Sequence, residues 1–248
     1  MLPALDCHAH ISPEVTKPDL DRLGDAIVFA VTRSLEESER VQNRSDRGII
    51  WGCGVHPGSS ELRNAFSQER FRKVAQHFVL IGEVGLDKKA GDLERQVSIF
   101  RQVLEVAAER PTLCSIHSAG CADLVLEIID ECRPSAPILH WFTGEASHVE
   151  RAVTLGCWFS VNVQMKDDML RRIPADRVLP ETDFPFTRRR GAQTPGDIGG
   201  LEERMARLWR TESGAVRMGW YRNLRRLIGQ ADLIDQVPDE LWDRLVSV

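Results

Sequence analysis

Short apolar runs alternate with longer amphipathic stretches along the whole chain. The runs at 5–11, 26–32, 48–55, 78–84, 112–117, 137–141, 156–163 and 178–183 have the length of buried strands. Between them, apolar residues recur at helical spacing. The clearest case is 93–109, where Leu93, Val97, Phe100, Leu104 and Ala108 fall three or four residues apart. Residues 121–132 and 147–155 follow the same pattern, and Pro111 and Pro134 stand where helices should stop. Further helices are expected at 201–209, 216–228 and 240–246. Strands alternating with helices imply parallel pairing. Eight such units predict closure into an α/β fold of the (β/α)8 TIM-barrel type, and the 248 residues match the roughly 250 that such a barrel needs. An open doubly wound sheet would carry a Gly-rich phosphate loop after its first strand. Here that position holds Asp6, His8 and His10. With no repeat, low-complexity tract or Pro/Ser linker, one domain over 1–248 is expected. The segment 187–200, basic and then rich in Gly and Pro, reads as a long loop at the barrel mouth or an entry to the last helices.

The ends of the expected strands carry the chemistry. They hold Asp6-Cys7-His8-Ala9-His10, Gly54-Val55-His56-Pro57, Gly82-Glu83-Val84-Gly85-Leu86-Asp87, Ile116-His117-Ser118, His140-Trp141-Phe142-Thr143-Gly144 and Glu181-Thr182-Asp183-Phe184-Pro185. Of the seven histidines, all but His77 and His148 fall in these stretches. Alternate strand residues share a face, so Asp6, His8 and His10 are expected to point together into the barrel. The two imidazoles suit a divalent metal, with Asp6 as a further ligand or as a hydrogen-bond partner behind them. Glu83 ends an apolar run between Gly82 and Gly85. A buried carboxylate there is costly unless paired or metal-bound, and its two oxygens could bridge ions about 3.5–4 Å apart. His117, His140 and Asp183 also end apolar runs. The expected division places His8, His10, Glu83 and Asp183 around one ion, and Glu83, His117 and His140 around the other. Asp183, with Glu83 the expected catalytic carboxylate, would also orient or deprotonate water. Nitrogen and oxygen donors suit Zn, Mn, Co or Mg, and the imidazole content disfavours Mg alone. His56 could donate to a substrate phosphate or serve as a structural loop histidine.

Composition narrows the setting. An apolar share of 42% supports a substantial core, and the net charge of -5 argues against a generally basic nucleic-acid binder. A local basic rim is compatible with that total: Arg188-Arg189-Arg190 follows the Asp183 motif, and Lys88 and Lys89 follow Asp87. The six cysteines form no C-x-x-C pair, as expected for reduced thiols; Cys7, Cys53 and Cys157 are expected in the core. No basic, apolar leader opens the sequence and no window reaches the roughly 18 apolar residues of a membrane span, so a cytoplasmic protein is expected.

Together the motifs D-x-H-x-H, G-x-H-P, G-E-V-G-L-D, the lone His117, H-x-F-T-G and E-T-D-x-P resemble the TatD family of metal-dependent hydrolases. Arg222-Asn223-Leu224-Arg225-Arg226-Leu227 is similar to that family's C-terminal N-x-x-R-L helix. The resemblance implies a TIM barrel, two divalent metal ions held by His8, His10, Glu83, His117, His140 and Asp183, and phosphodiester hydrolysis on DNA, often as a 3′–5′ exonuclease. The chain departs from the family at Ala119, where an arginine is common, and at Lys88 and Lys89, where an aromatic follows G-L-D. A methyl group cannot clamp phosphate as a guanidinium does. His56, Arg188 and Lys88 therefore stand as candidate substrate contacts. The departures leave open a barrel hydrolase of another ester, amide or phosphate, and a TatD-like subunit with protein partners in a bacterial defence or repair assembly.

Overall fold

The computed structural model describes residues 2–189 and 191–248. Eight strands, β1 (Leu5–Ala9), β2 (Ile27–Ala30), β3 (Ile49–Cys53), β4 (Leu80–Gly85), β5 (Leu113–His117), β6 (Ala136–His140), β7 (Trp158–Val161) and β8 (Val178–Pro180), lie in chain order in one parallel sheet. Helices intervene between successive strands, giving a (β/α)8 TIM barrel. Nearly all strand residues are buried, as expected when the sheet is covered outside by helices and filled inside by side chains.

The edge between β8 and β1 closes beyond the strand ends. The Asp183 amide donates to the His8 carbonyl at 2.9 Å, and the His10 amide to the Phe184 carbonyl at 2.8 Å. This corrects the expected extent of both strands. β1 ends at Ala9, before His10, and β8 ends at Pro180, before Asp183. Both residues belong to the loops that lock the barrel shut.

Register is irregular at two places that matter. Asp6 to Ala9 on β1 spans three residues against the two from Val28 to Ala30, and Ile81 to Val84 on β4 spans three against the two from Cys114 to Ile116. Each extra residue is a bulge, which re-aims neighbouring side chains. His8 lies within the first bulge and Glu83 within the second.

The helices Leu93–Ala108, Ala122–Cys132 and Ala146–Thr154 fall within a residue or two of their expected bounds. Short helices at Lys17–Asp21, Leu35–Val41, Ser60–Asn64, Gln68–Ala75 and Asp167–Arg172 were not among the expected elements. The helix Ser213–Gln230 buries Trp220, Tyr221 and Leu224 and carries the N-x-x-R-L motif. Its Asn223 side chain donates to the carbonyls of Ala175 and Val178 at 2.9 and 2.8 Å, tying the helix to the start of β8. Cys7, Cys53 and Cys157 are buried, as expected. Among the described residues no helix is long and apolar enough to cross a membrane.

Candidate metal centre

The C-terminal ends of the strands bring the six expected residues together. Glu83 is the hub. Its Oε1 lies 2.7 Å from His117 Nδ1 and 2.9 Å from His140 Nε2. Its Oε2 lies 3.1 Å from His10 Nε2 and 3.7 Å from His8 Nε2. Asp183 Oδ1 stands 3.7 Å from His8 Nε2 and 3.8 Å from His10 Nε2. One carboxylate thus faces two pairs of imidazoles through its two oxygens, with a second carboxylate beside one pair. The donor atoms of His8, His10 and Asp183 lie within 4.8 Å of one another, as do those of His8, Glu83 and His140.

Local structure holds each donor. His8 Nδ1 pairs with Ser115 Oγ at 2.7 Å, which fixes the ring and leaves Nε2 directed at Glu83 and Asp183. The backbone of Asp183 adopts a left-handed φ of 48°, which Asp tolerates better than most residues. Gly85 lies against His117: a Cβ there would sit 2.0 Å from the His117 carbonyl oxygen. The same close approach occurs at Gly54, where a Cβ would meet the Thr32 carbonyl oxygen at 2.1 Å and the Glu83 amide nitrogen at 2.5 Å.

Asp6 is settled as a hydrogen-bond partner. It accepts from the Thr182 amide (2.9 Å), the Thr182 hydroxyl (2.6 Å), the Gly196 amide (2.8 Å) and the His8 amide (3.3 Å). Those bonds occupy its acceptor sites and fasten the 187–200 loop to β1. Glu181, noted in the sequence only by its place before Asp183, plays a similar part deeper in the barrel. It accepts from the Ser160 hydroxyl, from Asn162 Nδ2 at 2.8 Å and from the Trp141 amide at 3.1 Å, and lies 3.7 Å from His140 Nδ1.

His56 joins the centre, with its Nε2 3.3 Å from Glu83 Oε2. Its Nδ1 accepts the Gly58 amide at 2.9 Å. A neutral ring accepting at Nδ1 carries its proton on Nε2, so His56 presents an N–H to the site rather than a lone pair. Burial pushes its pKa down, which favours that neutral form.

Electrostatics follow from burial and proximity. Burial lowers His8 to about 4 and raises Asp183 to about 8. Burial also opposes the ionisation of Glu83, but the imidazoles of His140 and His56, with those of His10 and His117 close by, hold it well below the usual carboxylate range. His140 is likewise opposed by burial, yet Glu83 and Glu181 carry it well above an ordinary histidine.

The donor set fits divalent cations. His8 Nε2 and His10 Nε2 are buried without a hydrogen-bond partner, and a buried polar atom left so is costly. Both nitrogens point toward carboxylate oxygens. Imidazole lone pairs converging with carboxylates are the ligands that Zn, Mn or Co prefer.

A cavity of about 400 Å³ opens over the centre, bordered by His56, Asp87, Ala119, Trp141, Thr143 and Phe186. Ala119 contributes a methyl group to its wall. Lys88 and Lys89 are exposed on the turn after β4, and Arg188 and Arg189 on the loop after Asp183. Arg190 lies outside the described residues. His77 is exposed; His148 caps the helix Ala146–Thr154 and pairs with Asp123 at 3.0 Å.

Comparison with known proteins agrees with this architecture. The model of the family described as TatD related DNase matches residues 5–229. A 3′-5′ ssDNA/RNA exonuclease TatD from Enterobacter lignolyticus is 29% identical over 256 residues, covering 89% of this chain and 98% of that protein. Another of the same name from Cronobacter turicensis is 30% identical over 178 residues, covering 65% and 67%. Among solved structures, YJJV, a TatD homolog from Escherichia coli K12, superposes with a TM-score of 0.75 at 20% identity, covering 90% of this chain and 97% of that one. A hydrolase TatD family protein from Entamoeba histolytica gives a TM-score of 0.66 at 17% identity, covering 81% and 83%. The chain belongs to the TatD-related DNase family.

Proposed function

We propose that this protein is a divalent-metal-dependent phosphodiesterase that removes nucleotides from the 3′ end of single-stranded DNA, using two cations. The observation that carries the reading is the split of Glu83: Oε1 faces His117 and His140, while Oε2 faces His8 and His10. His8, His10, Glu83 and Asp183 would hold one ion, and Glu83, His117 and His140 the other. When bound, such ions polarise a phosphoryl oxygen, make water acidic enough to react near neutral pH and stabilise the leaving oxygen.

The chain's own groups supply the rest. Asp183 is the proton acceptor for the attacking water. It borders the cavity where the reacting water and phosphate would meet, within reach of His8 and His10. His56 directs its Nε2–H into the same space and donates to a phosphate oxygen. Exposed Lys88 and Arg188 at the mouth attract phosphates despite the acidic total charge. They take over part of what an arginine at position 119 would provide. The exonuclease names of related proteins and the small size of the cavity both favour a strand end over a duplex interior.

The test is incubation with end-labelled single- and double-stranded oligonucleotides, with simple phosphate and carboxylate esters alongside, across Mg, Mn, Co and Zn. The expected result is a metal-dependent ladder that shortens single strands from the 3′ end. Asp183→Ala should abolish it while the circular dichroism spectrum is retained. Persisting metal-dependent cleavage in that variant would refute the role of Asp183. Hydrolysis of small esters with intact oligonucleotides would refute the substrate class.

A further inference from the structure

We infer that Phe186 is the platform on which the base of the terminal nucleotide stacks. The inference rests on the phosphodiesterase reading above and deepens it.

Among the described residues Phe186 is the most exposed large apolar side chain, at 57%. A phenyl ring left in water forgoes burial that would stabilise the fold. The backbone that carries it is nevertheless fixed. Asp183 lies three residues before it. The next residue, Thr187, is fully buried; its hydroxyl donates to the Thr182 carbonyl at 2.6 Å and its carbonyl accepts Gln164 Nε2 at 3.2 Å. The ring is braced on the protein side by two imidazoles of the centre. Its centroid stands 5.3 Å from that of His10, edge to face, and 6.5 Å from that of His56, tilted by 23°. The rest of the ring borders the cavity of about 400 Å³ above Glu83 and Asp183.

An aromatic surface held rigidly beside a phosphodiester site, with its outer face open, suits a nucleobase. Stacking is tolerant of sequence because every base offers a π-face. The loop after β4 provides no ring for this purpose, since Lys88 and Lys89 stand there. Trp141 also borders the cavity, but it is half-buried and packed on the core. Phe186, delivered from the opposite side by the loop after β8, restores a stacking surface from a different element.

The test compares wild type, Phe186→Ala and Phe186→Trp on two single-stranded DNA oligonucleotides, 5′-labelled with a fluorophore. One ends in a normal 3′ nucleotide and the other in an abasic one. Cleavage is followed with manganese, and binding by anisotropy in EDTA. The wild type should lose about tenfold in KM and in binding when the terminal base is removed, with kcat little changed. Phe186→Ala should show that loss already on the normal strand and be indifferent to the base. Phe186→Trp should restore the discrimination. Melting temperatures should stay within error, because the side chain is exposed. An equal penalty for the abasic end in wild type and Phe186→Ala would overturn the inference while leaving the phosphodiesterase reading intact. Failure of the wild type to bind or cleave either strand would overturn that reading itself, and the inference with it.

Discussion

Gly54→Ala tests whether the site depends on backbone approach as much as on its ligands. Gly54 follows β3, and an added Cβ would lie 2.1 Å from the Thr32 carbonyl oxygen and 2.5 Å from the Glu83 amide nitrogen. Those two atoms form the hydrogen bond, at 2.9 Å, that seats the Glu83 peptide. The methyl group would therefore wedge apart a buried backbone pair directly under the hub carboxylate. Leaving a buried donor and acceptor poorly paired costs about 1–3 kcal/mol, and overpacking costs a similar amount. Together they predict a loss of roughly 2–6 kcal/mol. For a chain of this size that is a fall of about 4–24 °C in melting temperature. The assay is thermal unfolding in EDTA, followed by manganese titration calorimetry, in which affinity should fall by more than about tenfold because Glu83 is displaced. Gly219→Ala is the control. It lies within the helix Ser213–Gln230 with nothing within 4 Å of its added Cβ, so it should stabilise by about 0.5–1 kcal/mol. A Gly54→Ala protein melting within about 2 °C of wild type, with unchanged manganese affinity, would refute the reasoning.

Asp183 gives the metal-free protein a pH signature. Its carboxyl titrates at about 8 in the fold against 3.8 for the unperturbed group, so between these values the folded state keeps a proton that the unfolded state has released. Stability therefore falls as pH rises through that window, by roughly 4 kcal/mol at pH 7, and Asp183→Asn should lack this component. Urea unfolding in EDTA from pH 4 to 8 should show the variant gaining on the wild type, and a constant difference between them would contradict the assignment. The thiols make a separate prediction: burial pushes Cys53, Cys114 and Cys157 up to about 12 and Cys7 well above its ordinary value. Half-buried Cys132 should thus be the first to react with Ellman's reagent at pH 8, with all six accessible only in guanidinium. Rapid modification of four thiols in the native protein would show the strand cysteines to be open.

The parts of the site legible in the sequence were those whose cost is local. Glu83, His117 and His140 each end a short apolar run, where a polar side chain is costly unless it has a partner. Their convergence needed only the expectation that successive parallel strands end at one mouth. His10 and Asp183 were read as strand residues because the apolar pattern continues to them, but the strand hydrogen bonding stops earlier. Their amides are used to close the barrel between segments more than 170 residues apart, and no local pattern carries that. The bulges at His8 and Glu83 were hidden for a related reason: an extra residue is defined only against the neighbouring strand. Short helices such as Ser60–Asn64 span too few turns for their periodicity to be read. The donor role of His56 depends on the Gly58 amide, two residues away, and follows from the turn geometry rather than from residue type. Phe186 gave no signal of its own, since an aromatic destined for solvent looks in sequence like one destined for the core. The nearest cue was its place just after Asp183-Phe184-Pro185.

The hub also explains why the ligand set belongs together energetically. One Glu83 carboxylate stands within 4 Å of nitrogens from His8, His10, His56, His117 and His140. A carboxylate offers about four acceptor sites, so five imidazoles cannot all donate to it. If every ring were protonated to try, the mutual repulsion of buried cations would be prohibitive; His8, pushed by burial to about 4, stays neutral instead. His8 Nε2 and His10 Nε2 are left without a hydrogen-bond partner. A chain without cations leaves this balance unfinished whichever way the protons are arranged. On the proposed reading, a cation on each side of Glu83 would complete it by accepting the imidazole lone pairs and balancing the carboxylate charge. Residues that a protein alone would hold at a loss would then be held at a gain with metal bound, and removing any one of them should weaken the grip of the rest.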